Sequence, residues 1–189
     1  ARDAEPARVA IRTHLGALLA SPATVRSAAV QAATSLGIKD LAPALVELAL
    51  EKSLGATARV EALEALFSLD ANRFETVREK ALADSEAKVR AKALGLAARR
   101  DAQKTLPLLE KALAGGTLLE KQAAVTALGS DKSDAARNLI KPLVESLKKG
   151  GVEPGLELEV AEAGRAHAPD ASARGAIDSL EKNNKHRDC

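Results

Sequence analysis

The chain has 189 residues, 46% of them apolar and 29% charged, with a formal net charge of +2. Only Phe67 and Phe74 are aromatic, and Trp, Tyr and Met are absent, so the core must be built from Leu, Val and Ala, which favours helices over strands. Residues 1–94 carry 13 basic and 12 acidic groups and residues 95–189 carry 15 and 14; neither half has the basic excess that a phosphate backbone requires, which disfavours nucleic acid. No apolar run approaches the roughly 20 residues that span a bilayer, and no signal-peptide pattern opens the chain. The single cysteine, Cys189, allows no internal disulfide and leaves the redox compartment open. With no Met even at position 1, the chain is expected to be a fragment or a processed product.

In chain order, the first expected helix runs from Pro6 to Ala20 and reads as an N-terminal cap over residues 1–20. Ser21 and Pro22 supply an N-cap and a first-turn residue for a helix from Pro22 to Leu36, which Gly37 ends; Asp40 is expected to cap the next, Leu41 to Lys52. Further pairs are expected at Ala56–Leu69 with Asn72–Ala83, Ser85–Arg99 with Ala102–Ala114, and Leu118–Leu128 with Ser133–Lys149. A degenerate fifth pair, Glu153–His167 with Ala171–Glu181, falls within residues 150–182, and a polar tail occupies 183–189. Pro43 sits harmlessly in a first turn, but Pro107 and Pro142 fall later, and a kink is expected near Asn138 to Pro142. The stretch from Lys149 to Gly155 is the expected hinge.

A phrase recurs in the first helices. Val25-Arg26-Ser27-Ala28-Ala29, Ala58-Arg59-Val60-Glu61-Ala62, Val89-Arg90-Ala91-Lys92-Ala93 and Glu120-Lys121-Gln122-Ala123-Ala124 begin at spacings of 33, 31 and 31 residues. The second helices share the period: Leu45-Val46-Glu47, Val77-Arg78-Glu79, Leu108-Leu109-Glu110 and Leu143-Val144-Glu145 place their glutamates 32, 31 and 35 residues apart. A fixed period in this range marks stacked helical units that cannot bury their apolar faces singly, over residues 21–149.

The turn and helix Leu82-Ala83-Asp84-Ser85-Glu86-Ala87-Lys88-Val89-Arg90 closely resembles the HEAT repeat, and the pattern extends more weakly to Arg26, Arg59 and Lys121. The resemblance implies an all-α, right-handed α-α solenoid of about five helix pairs, first helices convex and second helices concave, that works as a protein–protein scaffold. The family's turn Asp is present only at Asp84, so its Asp-to-Arg ladder has one clear rung here. The Ala-rich repeats ending in Gly155-Leu156-Glu157-Leu158-Glu159 also resemble the HEAT segment of large exported planctomycete-type proteins that join a dehydrogenase-like propeller to a c-type cytochrome domain. That resemblance implies a spacer between flanking domains, outside the cytoplasm; without it the expected compartment is the cytoplasm. The haem motif of such proteins is missing.

Two columns of side chains are candidates for function. Arg26, Arg59, Arg90 and Lys121, with Asp84, read as a structural ladder in which each cation meets a carboxylate and covers apolar surface with its stem; the alternative is a basic stripe for an anion. Glu47, Glu79, Glu110 and Glu145, with Arg78, Lys111 and Arg137 beside them, read as a solvated helix face or as a partner-binding stripe. His14, His167 and His186 lie on separate elements without metal-ligand spacing, so no metal or cofactor is expected. His186-Arg187-Asp188 matches a kinase catalytic-loop triplet in letters only. Gly115-Gly116 and Gly150-Gly151 are turn glycines rather than phosphate loops. No nucleophile, base or metal set of an enzyme is recognisable. The runner-up reading is a HEAT-like DNA-repair glycosylase, against which stand the missing Trp and Tyr and the acidic second-helix column.

Overall fold

The computed structural model describes residues 5–168, 171, 174, 175 and 177–179. The tail at 183–189 with Cys189 and His186, and residues 172, 173, 176, 180 and 181 of the expected helix from Ala171 to Glu181, lie outside the described residues. Every regular element among the described residues is helical: α1 (Glu5–Ala20), α2 (Ala23–Ser35), a 3-10 turn (Lys39–Leu41), α3 (Ala42–Leu50), α4 (Ala56–Leu69), α5 (Ala71–Leu82), α6 (Ala87–Arg100), α7 (Ala102–Gly115), α8 (Leu118–Ser130), α9 (Asp134–Lys148) and α10 (Glu157–His167). The chain divides into two compact units, residues 1–96 and 97–189.

In the first unit α1 lies on α2, α2 and α3 both pack against α4, and α5 closes on α3 and α4. First helices thus lie beside first helices and second beside second. The core follows from the three- and four-residue spacing of apolar side chains: Val30 and Ala33 of α2, Leu45 of α3, Leu63 and Leu66 of α4, Phe74 and Val77 of α5, and Val89 and Ala93 of α6 are all buried in one cluster. Phe74 is fully buried, and its ring meets Phe67 edge to face with centroids 5.4 Å apart and planes at 84°. In the second unit α8 is central and packs against α7, α9 and α10, while α9 also contacts α10. Leu109, Val125, Leu128, Ile140 and Val160 are buried there.

Helix ends show which local signals acted. Asp70, Asp101 and Ser133 cap α5, α7 and α9: Asp70 accepts from the backbone N–H of Asn72 and Arg73 at 3.2 Å, Asp101 from Lys104 at 3.1 Å, and Ser133 from Ala136 at 3.2 Å. These caps recur at spacings of 31 and 32 residues, so the period governs the second helices at their first residue. Two expected caps differ. Ser21 donates its hydroxyl back to the Ala17 carbonyl at 2.8 Å, and Pro22 takes the N-cap place with no side-chain bond. Asp40 sits inside the 3-10 turn, with its carboxylate 2.9 Å from Arg12 Nε, and Leu41 precedes α3; a nearby cation outcompetes the amide groups for that carboxylate. Gly37, at φ +67°, ends α2 as expected: its N–H reaches Thr34 O and the Ile38 N–H reaches Ala33 O, closing a Schellman turn over the buried Ile38. Both α7 and α9 run on through Pro107 and Pro142. Neither proline can donate to the carbonyl four residues before it.

Candidate partner-binding surface and cation column

The cation column is built on the turns that precede the first helices. Arg26 Nη1 donates to the Ser21 carbonyl at 3.3 Å, Arg59 Nε to Leu54 at 3.2 Å, and Arg90 Nη1 to Ser85 at 3.0 Å and Asp84 at 2.8 Å. In each case the carbonyl five residues back belongs to the residue two positions before the helix starts. The guanidinium therefore fastens the turn onto its own helix, using the fork of donors that a lysine lacks. Lys121 differs and reaches Glu153 Oε2 at 2.5 Å, 32 residues on. The turn before its helix is held by a capping box instead: Thr117 N–H donates to Glu120 Oε2 at 2.9 Å and Glu120 N–H to Thr117 Oγ1 at 3.4 Å.

Arg59 and Asp84 form the buried rung. Their side chains are 3% and 2% exposed, and Arg59 Nη1 lies 2.5 Å from Asp84 Oδ2. Lys52, largely in solvent, donates to the same oxygen at 2.6 Å, while the Glu86 N–H donates to Oδ1 at 2.8 Å. Burial alone would push the Asp84 carboxyl up, but the Lys52 bond, the Glu86 N–H and the Arg59 charge together hold it below its ordinary value. Arg26 meets a carbonyl and no carboxylate among the described residues. The column thus fastens turns at Arg26, Arg59 and Arg90, and Arg59 and Lys121 also meet carboxylates.

The second-helix residues lie on the faces turned away from the buried stripes. Glu47, Glu79, Glu110, Lys111, Arg137 and Glu145 are exposed and Arg78 is half-buried. Within the first unit, α3 with Glu47 packs on α5, where Arg78 pairs with Glu75 at 2.6 Å and lies 3.9 Å from Glu79. Within the second unit, Arg137 pairs with Asp134 at 2.5 Å and Lys148 with Glu145 at 2.8 Å. The Lys148 hydrogen bond, followed by the charges of Lys148, Lys149 and Lys141, lowers the Glu145 carboxyl below its ordinary value. Glu47, Glu110 and Lys111 form no ion pair among the described residues.

Contacts between neighbouring repeats were largely missed by sequence reasoning. Lys52–Asp84, Lys88–Thr57, Lys121–Glu153, Gln122–Gly155 and Lys132–Ala166 are hydrogen-bonded at sequence separations of 32, 31, 32, 33 and 34. One signal could have found the charged ones: opposite charges one period apart. His167 Nε2 lies 2.8 Å from the Leu128 carbonyl, to which it donates, tying the end of α10 to α8. His14 is exposed on α1. Among the described residues no group of three or more His, Cys, Asp or Glu side chains converges as for a metal ion, and no helix is long and apolar enough to cross a membrane. No family model matches the chain, and no curated protein or solved structure does so either.

Proposed function

We propose that the chain is a non-catalytic HEAT-type α-solenoid that binds or spaces other proteins or domains through the exposed side of its second helices. The observation that carries the reading is the one-period hydrogen bonding between successive turns and helices, at separations of 31 to 34 residues. Bonds of that kind are expected when identical units stack in register, each leaning on the next. Glu47 and Glu79 within the first unit, and Glu110 and Glu145 within the second, are exposed second-helix positions of mixed sign with their neighbours Arg78, Lys111 and Arg137. Such a surface suits steering and register with a charged partner.

The test places a photo-crosslinking residue at Glu79 or Glu110 and, as control, at the exposed first-helix position Thr126. Protein adducts should concentrate at the second-helix positions, and equal yields at all three would refute the reading. Binding to a mixed-sequence DNA duplex at low salt separates the other class: the scaffold predicts no retention, whereas tight and steeply salt-dependent retention would favour a DNA-gripping protein.

A further inference from the structure

In the second unit a groove of about 280 Å³ opens beside the second helix α9. Its apolar lining is Ile140 and Val144 of α9, Gly164 of α10, and Ile177. Gly164 lets α10 lie close against Val144 and Ile177 at the groove wall, because a Cβ there would come within 2.8 Å of Val144 Cγ2 and 3.2 Å of Ile177 Cδ1. The volume lies at the lower edge of the roughly 300–1,000 Å³ that accommodates whole drug-sized ligands, so it suits one or two aliphatic side chains better than a cofactor.

The rim is cationic. Among the described residues, Arg137, Lys141 and Lys148 line it with Glu145 as the single carboxylate. Lys141 is exposed and makes no ion pair among the described residues. Among the described residues Arg137 and Lys148 are held only by exposed pairs on their own helix, at 53% and 45% exposure; such pairs contribute little and exchange readily for a better acid. The Lys148 hydrogen bond first, and then the charges of Lys148, Lys149 and Lys141, lower the Glu145 carboxyl.

We propose that this groove binds a short acidic segment of a partner protein, which inserts a bulky aliphatic side chain between Ile140, Val144 and Ile177 while flanking carboxylates meet Arg137, Lys141 and Lys148. An apolar anchor in a pocket with a charged rim is the common plan of a small interface: the anchor gives affinity and the rim gives orientation and encounter rate. The proposal rests on the scaffold reading, since Arg137 and Glu145 belong to both, and it adds the chemistry of the partner.

The test is selection of random dodecapeptides displayed on phage against the full chain, followed by titration of one enriched, fluorescein-labelled peptide. Two variants serve as controls: Lys141→Glu reverses an exposed rim charge, and Ala168→Leu adds bulk at the groove wall. Circular-dichroism melts matching the unsubstituted chain show that both fold. Enriched peptides should combine Leu, Ile or Val with Asp or Glu, and each variant should bind about tenfold more weakly or worse. Peptides without acidic residues, or binding to either variant as tight as to the unsubstituted chain, would overturn the proposal while leaving the broader scaffold reading to the crosslinking result. Failure to enrich any peptide would overturn it too. So would groove methyl resonances that shift with sodium octanoate and with no peptide, which would mark a site for small anions.

Discussion

Replacing Asp84 by Ala probes the most consequential contact in the first unit. Asp84 is 2% and Arg59 3% exposed, so removing the carboxylate leaves a guanidinium buried with only the Leu54 carbonyl, at 3.2 Å, as partner among the described residues. Lys52 is 62% exposed and simply returns to water. The cost is therefore set by the stranded arginine and should be about 3–5 kcal/mol, against roughly 0–1 for an exposed pair. Because an ion pair and a well-packed apolar pair can be nearly equivalent, Arg59→Met combined with Asp84→Ala should recover much of the loss. The assay is urea unfolding followed by circular dichroism for the four members of the cycle. The acid limb adds an independent check. The folded Asp84 carboxyl lies below its ordinary 3.8, so its ionised form is what stabilises the fold. Its contribution is complete above that ordinary value and disappears as pH falls through the lower, folded value. The gap between wild type and Asp84→Ala should thus be constant from neutral pH down to about 5 and close only below about 4. A loss under about 1 kcal/mol, or a gap unchanged at low pH, would refute the reasoning.

Two further outcomes test packing and surface charge. Phe74→Ala removes the largest fully buried side chain and its edge contact with Phe67, and should cost about 3–5 kcal/mol in urea unfolding, with Phe74→Leu costing much less. Lys121→Ala breaks the pair with Glu153, whose side chains are 22% and 46% exposed; the loss should be about 0.2–1 kcal/mol at low salt and should shrink in 0.5 M NaCl.

Helix content was legible because it depends on composition and punctuation, both local. The span Ala56–Leu69 follows from Gly55 before it and Asp70 after it, and α4 occupies it. Asp40 misled because sequence shows a good capping residue but not a competing cation: Arg12, a whole helix away, takes its carboxylate. The cation column was visible as a column, yet its chemistry was not. Sequence pairs charges with charges, whereas Arg26, Arg59 and Arg90 each spend a donor on a carbonyl that no side-chain pattern announces. The groove beside α9 was invisible for a similar reason. Its wall brings a glycine at 164 close to Val144 and Ile177, a juxtaposition that no spacing encodes.

The fourth repeat suggests what the column is for. Where arginine is present, it ties the preceding turn to the helix; where Lys121 takes its place, the Thr117–Glu120 capping box does the tying. If fastening that turn is the shared requirement, the two devices should substitute for one another. Thr117→Ala should cost about 1 kcal/mol in the wild-type chain. It should cost less in a Lys121→Arg background, because an arginine there can reach the Gly116 carbonyl, which stands in the place of Ser21, Leu54 and Ser85. Urea unfolding of the four-member cycle measures the coupling. Losses that add to within about 0.3–0.5 kcal/mol would show the devices to be independent, and the column would then owe its period to stem packing rather than to the turn.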